Sequence, residues 1–141
     1  MEKVVLMDDL PENWTYPLIQ PKLIEKYLQV KNNSIIGTIV TVTVDRPLGS
    51  YHPGHKDMYY PVNYGYIEGV MAPDGEEQDA YILGVNEPVG KFTGKIIAIV
   101  QRKDDIEEKW VVVPDGMAFS KEEIRRQIHF QEQYFESEIV M

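Results

Sequence analysis

The chain has 141 residues, 43% hydrophobic and 26% charged, with 23 acidic against 14 basic side chains and a formal net charge of −9. That length suits one domain with a real core and is too short for two ordinary ones; the acidic balance excludes non-specific nucleic-acid binding, since a phosphate backbone would be repelled. There is no cysteine, which excludes a disulfide framework and thiolate chemistry.

Met1-Glu2-Lys3 leads into only four apolar residues before Asp8, and no apolar run approaches a bilayer-spanning length. The expectation is therefore a cytoplasmic protein with no membrane partner. Residues 1–34 read as an N-terminal extension, cut into short pieces by Pro11, Pro17 and Pro21. Leu23, Ile24, Tyr27, Leu28 and Val30 form a loose helical stripe there, and Trp14 and Tyr16 are its apolar anchors.

The main domain is expected over residues 35–141. Residues 35–45 form the strongest strand pattern, with Val40, Val42 and Val44 on one face and Thr41 and Thr43 on the other. Arg46-Pro47-Leu48-Gly49-Ser50 ends it, and the loop that follows holds His52, His55, Lys56 and Asp57. The third histidine, His129, lies far along the chain with no soft ligand beside it, which argues against a zinc centre.

Residues 60–84, YPVNYGYIEGVMAPDGEEQDAYILG, join an aromatic, glycine-punctuated run to a dense acidic cluster. Asp74, Glu76, Glu77 and Asp79 crowd together and repel one another, so a cation among them is one reading. Hard oxygen donors without cysteine suit Mg²⁺, Mn²⁺ or Ca²⁺, although the spacing is not that of a calcium EF-hand. The other reading is a solvated acidic turn, since Asp-Gly is ordinary turn chemistry.

Residues 95–100 and 110–113 read as strands flanking the charged loop QRKDDIEEK. Ser120 with Glu123 three residues on is a capping box, opening a helix through residue 136 with Ile124, Ile128, Gln131 and Phe135 along one side. Short strands, glycine-bearing turns and a late helix indicate a mainly β (α+β) barrel with flanking helices.

YPVNYGYIEG followed by DGEEQD resembles the signature of the family I soluble inorganic pyrophosphatases, where a YPxNYGxI segment precedes a DGDPxD-type motif. GKIIAIVQRKDDIEEKWVVVP and QIHFQEQYF are similar to the family's second acidic segment and C-terminal helix, so the likeness spans residues 39–134. It implies an OB-like five-stranded β-barrel, a homo-oligomer, and hydrolysis of inorganic diphosphate to two orthophosphates by a divalent-metal-activated water. Mg²⁺ is the implied cofactor, with Mn²⁺ as the other option.

Carried over by position, Asp74 and Asp79 match metal-binding aspartates, and Glu76 falls where the water-activating aspartate stands. Glu107 and Lys109 match a metal-binding acid and a phosphate-contacting lysine; either Asp104 or Asp105 supplies the other aspartate of that loop. Tyr60 and Tyr134 match phosphate-contacting tyrosines, and Arg46, His52 and Lys56 are the candidate phosphate-gripping residues of the preceding loop. Four departures stand out. Glu76 adds a methylene, Glu77 replaces a proline, His52 falls at an arginine position, and Phe135 stands where the family has a lysine. They leave two alternatives open: a metal-dependent hydrolase of another phosphoanhydride or phosphate ester, and a non-catalytic metal- or phosphate-binding homologue.

Overall fold

The structure, a computed structural model, describes residues 35–103 and 107–141. The helix expected within residues 1–34, and with it the anchoring role of Trp14 and Tyr16, lies outside the described residues, as do Asp104 and Asp105. The elements in chain order are β1 (Ile39–Arg46), β2 (Asn63–Met71), β3 (Glu77–Ile82), β4 (Lys91–Arg102), β5 (Glu108–Val113), α1 (Lys121–Glu132) and β6 (Ser137–Val140).

Five strands close on themselves in the order β1-β2-β3-β5-β4, because β4 also pairs with β1. All neighbours are antiparallel except β3 and β5. The first half of β4 pairs with β1 and its second half with β6, so one long strand both closes the barrel and carries an outer ribbon. Alternation in β1 sends Val42 into the interior, fully buried, while Thr41 and Thr93 share a hydroxyl hydrogen bond of 2.7 Å on the outer face.

Two apolar layers result. Val42, Ile67, Ala80, Ile82, Ile96, Ile99, Trp110 and Val112 come from all five barrel strands and fill its interior. Tyr64, Tyr81, Val100, Val111 and Val113 face outward, where Ile124 and Ile128 of α1 and Ile139 of β6 cover them. Closure is tight where β1 meets β2: a Cβ on Gly65 would lie 1.9 Å from the Thr43 carbonyl oxygen. Only glycine permits so close a backbone approach.

The capping box forms as expected, with Glu123 N–H donating to Ser120 Oγ (3.1 Å) and Ser120 N–H donating to Glu123 Oε1 (2.8 Å). Several expectations differ. The strands read at 95–100 and 110–113 are longer, Lys91–Arg102 and Glu108–Val113. The first strand starts at Ile39 rather than at residue 35, after a turn in which Thr38 hydrogen-bonds back to the Ile35 carbonyl. The helix stops at Glu132, four residues early, because the chain then turns into the unanticipated strand β6. Among the described residues α1 is the sole helix, so flanking helices reduce there to one.

Candidate active site

Two β-bulges decide which side chains reach the site. In β1, Val44 opposes Gly65 and Arg46 opposes Tyr64, so Asp45 is the extra residue and Arg46 emerges on the face of Tyr64. In β4, Ile97 is the extra residue between Ile96 and Ala98. This phase shift keeps Ile96 and Ile99 inside the barrel and brings Ala98, Val100 and Arg102 to the α1 side. Without these bulges both arginines would fall on the opposite face.

Arg46, Tyr64, Asp79, Arg102, Glu107 and Lys109 thereby line one cavity of about 470 Å³, with His52 and His55 on one wall and Tyr134 and Phe135 on another. Its charged centre is Lys109, nearly buried, whose Nζ lies 2.6 Å from Asp79 Oδ2 and 2.9 Å from Glu107 Oε2. Burial opposes its charge, but Tyr64, Asp79 and Glu107 outweigh that and raise its pKa. Burial has the opposite effect on Tyr64, raising its pKa and keeping it a neutral hydroxyl.

A second carboxylate–cation pair lies below. Glu132, at the end of α1, accepts from Arg102 Nε on Oε1 (3.1 Å) and from Arg102 Nη2 on Oε2 (2.9 Å). The remaining arm of the guanidinium, Nη1, donates to Glu107 Oε2 at 2.8 Å. Tyr81 Oη and Ser137 Oγ also donate to Glu132. Gln131 bridges the two buried tyrosines, donating to Tyr81 Oη (2.8 Å) and accepting from Tyr60 Oη (2.7 Å), while Arg46 donates to Tyr60 (2.7 Å). A continuous hydrogen-bond chain thus runs from Arg46 to Asp79.

Burial alone would raise the pKa of Glu132; its bonds from Arg102, Tyr81 and Ser137 prevail and hold it below the ordinary 4.5. A carboxylate depressed in the folded state contributes stability in full above its unfolded pKa and loses it as pH falls through the folded value. Urea unfolding across a pH series is therefore expected to show wild type losing stability below about pH 4.5 more steeply than Glu132→Gln. Equal acid slopes would contradict a depressed Glu132.

The histidine loop is closed by a bridge between Tyr51 and Tyr59. Within it Gly54 N–H donates to His52 Nδ1 at 2.8 Å, so a neutral ring carries its proton on Nε2. Partial burial first, then Arg46 and His55, lower the His52 pKa and favour that neutral form.

The family model for inorganic pyrophosphatase matches residues 28–136, more than half of the chain. The chain belongs to the inorganic pyrophosphatase family. The inorganic pyrophosphatase of Halalkalibacterium halodurans is 28% identical over 103 residues, covering 68% of this chain and 61% of that protein. The chain thus spans about three fifths of that relative's length. The solved pyrophosphatase structure from Ehrlichia chaffeensis has a TM-score of 0.56 at 20% identity, covering 73% of this chain and 85% of its own. That from Coxiella burnetii has 0.53 at 17%, covering 74% and 84%. They share the fold, and the barrel described above is the OB-like barrel of the pyrophosphatases.

Within this pyrophosphatase-family barrel the acids named from sequence separate into two groups. Asp79 and Glu107 meet at Lys109. Asp74 and Glu76 sit exposed on the β2–β3 turn, outside the cavity lining, where Glu76 N–H donates to Asp74 Oδ1 at 3.0 Å. Arg46, His52 and Tyr134 line the cavity, and Lys56 does not. Tyr60 is fully buried beneath, its hydroxyl engaged by Arg46 and Gln131; Tyr64, four positions on, lines the cavity in its place, along with Tyr134.

Arg102, Gln131 and Glu132 carry no site signal in the sequence reading. Arg102 falls in a charged loop there, and Gln131 in an apolar helix stripe. A polar Gln131 within that apolar stripe, with Glu132 beside it, is the one signal that could have pointed to those two, and none points to Arg102.

The pyrophosphatase family implies a divalent metal cofactor. Among the described residues no three acids or imidazoles converge on one point. Asp79 and Glu107 are nevertheless a hard, all-oxygen pair on one cavity, and Mg²⁺ is commonly held by one or two carboxylates plus substrate phosphate and water. The donor chemistry fits such an ion. Among the described residues no helix is long and apolar enough to cross a membrane.

Proposed function

We propose that this chain hydrolyses inorganic diphosphate to two orthophosphates with Mg²⁺, or Mn²⁺ in its place. One observation carries the reading: two carboxylates far apart in sequence, Asp79 on β3 and Glu107 just before the neighbouring β5, are gathered on one ammonium in a cavity that also holds Arg46. Asp79 and Glu107 would hold the cation, joined by Asp74 from the adjoining turn and by Asp104 or Asp105 from the loop before Glu107. Bound there, a hard divalent ion supplies charge neutralisation for the diphosphate and Lewis acidity toward its oxygens.

The chain's own groups do the rest. Arg46 makes no carboxylate ion pair among the described residues, so its guanidinium is available to grip phosphoryl oxygens. Lys109 offers an N–H to the phosphate between the acids, and the neutral Tyr64 hydroxyl and the Nε2–H of His52 donate without adding charge. By its likeness in position to the family's water-activating aspartate, Glu76, on the exposed turn outside the cavity lining, is the carboxylate for the proton of the attacking water, and Tyr134, on the cavity lining, would hydrogen-bond the outer phosphate. The same reading takes residues 1–34 as an extension, the assembly as a homo-oligomer and the location as cytoplasmic.

Phosphate release from diphosphate is expected with Mg²⁺ and is expected to vanish on chelation with EDTA and return when the metal is restored. Absence of release at any Mg²⁺ or Mn²⁺ concentration would sink the proposal.

A second reading has one observation in its favour. The Phe135 ring lies 3.6 Å from the Arg102 guanidinium carbon and covers a cation already bound by two carboxylates. That leaves an aromatic surface where another charge could have met phosphate. It favours a different phosphoanhydride or phosphate ester, and a substrate panel in which inorganic diphosphate leads by a wide margin would exclude it.

A further inference from the structure

We propose that Glu132 is a positioning residue: by holding the Arg102 fork from the end of α1, it sets the Glu107 carboxylate for divalent-cation binding. The inference rests on the metal-site role given above to Glu107, and no motif in the sequence marks Glu132 for it.

The geometry is specific. Glu132 engages two arms of the guanidinium in a bidentate pair, and the third arm is thereby aimed at Glu107 Oε2. Glu132 is itself held on both oxygens, Oε1 by Ser137 and Oε2 by Tyr81, which come from β6 and β3. Its orientation is thus dictated by three separate elements, and the orientation of Arg102 follows. Such a device fits the rule that groups behind metal ligands fix ligand geometry and charge.

Charge supplies a second argument. Arg102 lies between two carboxylates, so Glu132 offsets a positive charge that would otherwise bear on Glu107 alone. Were Glu132 neutral, the guanidinium would attach more firmly to Glu107 and compete with any cation that Glu107 is to hold. A merely structural buried ion pair would make no such demand, since such pairs are often replaceable without loss of stability.

The test is calorimetric titration of the purified full chain with Mg²⁺, alongside circular dichroism. Glu132→Gln is expected to weaken Mg²⁺ binding by about tenfold, the lower end of losses typical behind a metal ligand. In a Glu107→Gln background the same change is expected to have almost no further effect, because Glu132 acts through that carboxylate. Ser137→Ala, which removes one donor to Glu132, is expected to shift Mg²⁺ affinity in the same direction by a few-fold, and it carries the test if Glu132→Gln does not fold.

Unchanged Mg²⁺ affinity in the folded variant, or an equal loss in both backgrounds, would overturn the inference. Diphosphate turnover is measured separately. Wild type that binds Mg²⁺ with the expected coupling but releases no phosphate would leave Glu132 as a positioning residue and sink the proposed activity. Wild type that turns over diphosphate, with Glu132→Gln matching it in Mg²⁺ affinity, would do the reverse.

Discussion

Asp79→Ala is expected to lower kcat/KM for diphosphate by on the order of 10³-fold, the several kcal/mol that a lost metal carboxylate removes from transition-state stabilisation. Asp79 is one of two carboxylates that reach Lys109 across the cavity, and the side chain is 37% exposed. Its removal therefore leaves no large void in the core. The nearly buried Lys109 keeps Glu107 as an ionic partner, so the barrel is expected to survive. Phosphate release measured beside circular dichroism separates the two effects. Full turnover by a folded Asp79→Ala protein would mean that the gathered acids are not the reaction centre.

Gly65→Ala is expected to destabilise the barrel by at least ~3 kcal/mol, the upper part of the range for forcing extra volume into a packed interior. The added Cβ would stand 1.9 Å from Thr43 O and 2.8 Å from the Val44 Cα, both backbone atoms that no rotamer change can move. Relief requires β1 and β2 to separate where the ladder closes, beside the bulge that delivers Arg46. The effect should thus appear in activity as well as in the urea midpoint. Gly90→Ala is the control: a Cβ there would meet nothing within 4 Å and the residue's φ is not positive, so it should shift stability by only ~0.5 kcal/mol. Equal midpoints for the two variants would show that the β1–β2 backbones are not in such close approach.

The elements most legible in the sequence are those whose cause is local. Alternation in residues 39–46 assigns the valines inward, and Ser120 with Glu123 starts a helix by satisfying its first N–H groups. The acidic residues at 79 and 107 could be named because their spacing from YPVNYGY and from the WVVVP strand is a property of the chain. The end of α1 was less legible: nothing after Glu132 breaks a helix as strongly as proline would, and pairing of Ser137–Val140 with β4 decides the boundary.

Composition, periodicity and motif spacing are enough for the fold class, the family likeness and a set of candidate acids that includes Asp79 and Glu107, because each depends on residue type at short or regular separation. Which two of those acids share the cavity, that Tyr64 reaches it and Tyr60 does not, and that Glu132 lies behind Glu107 become visible only once strands and helix are placed in space. Those outcomes hang on two single-residue bulges and on where a helix lands. One extra residue in a strand reverses the direction of the side chains beyond it, and no local preference announces that reversal.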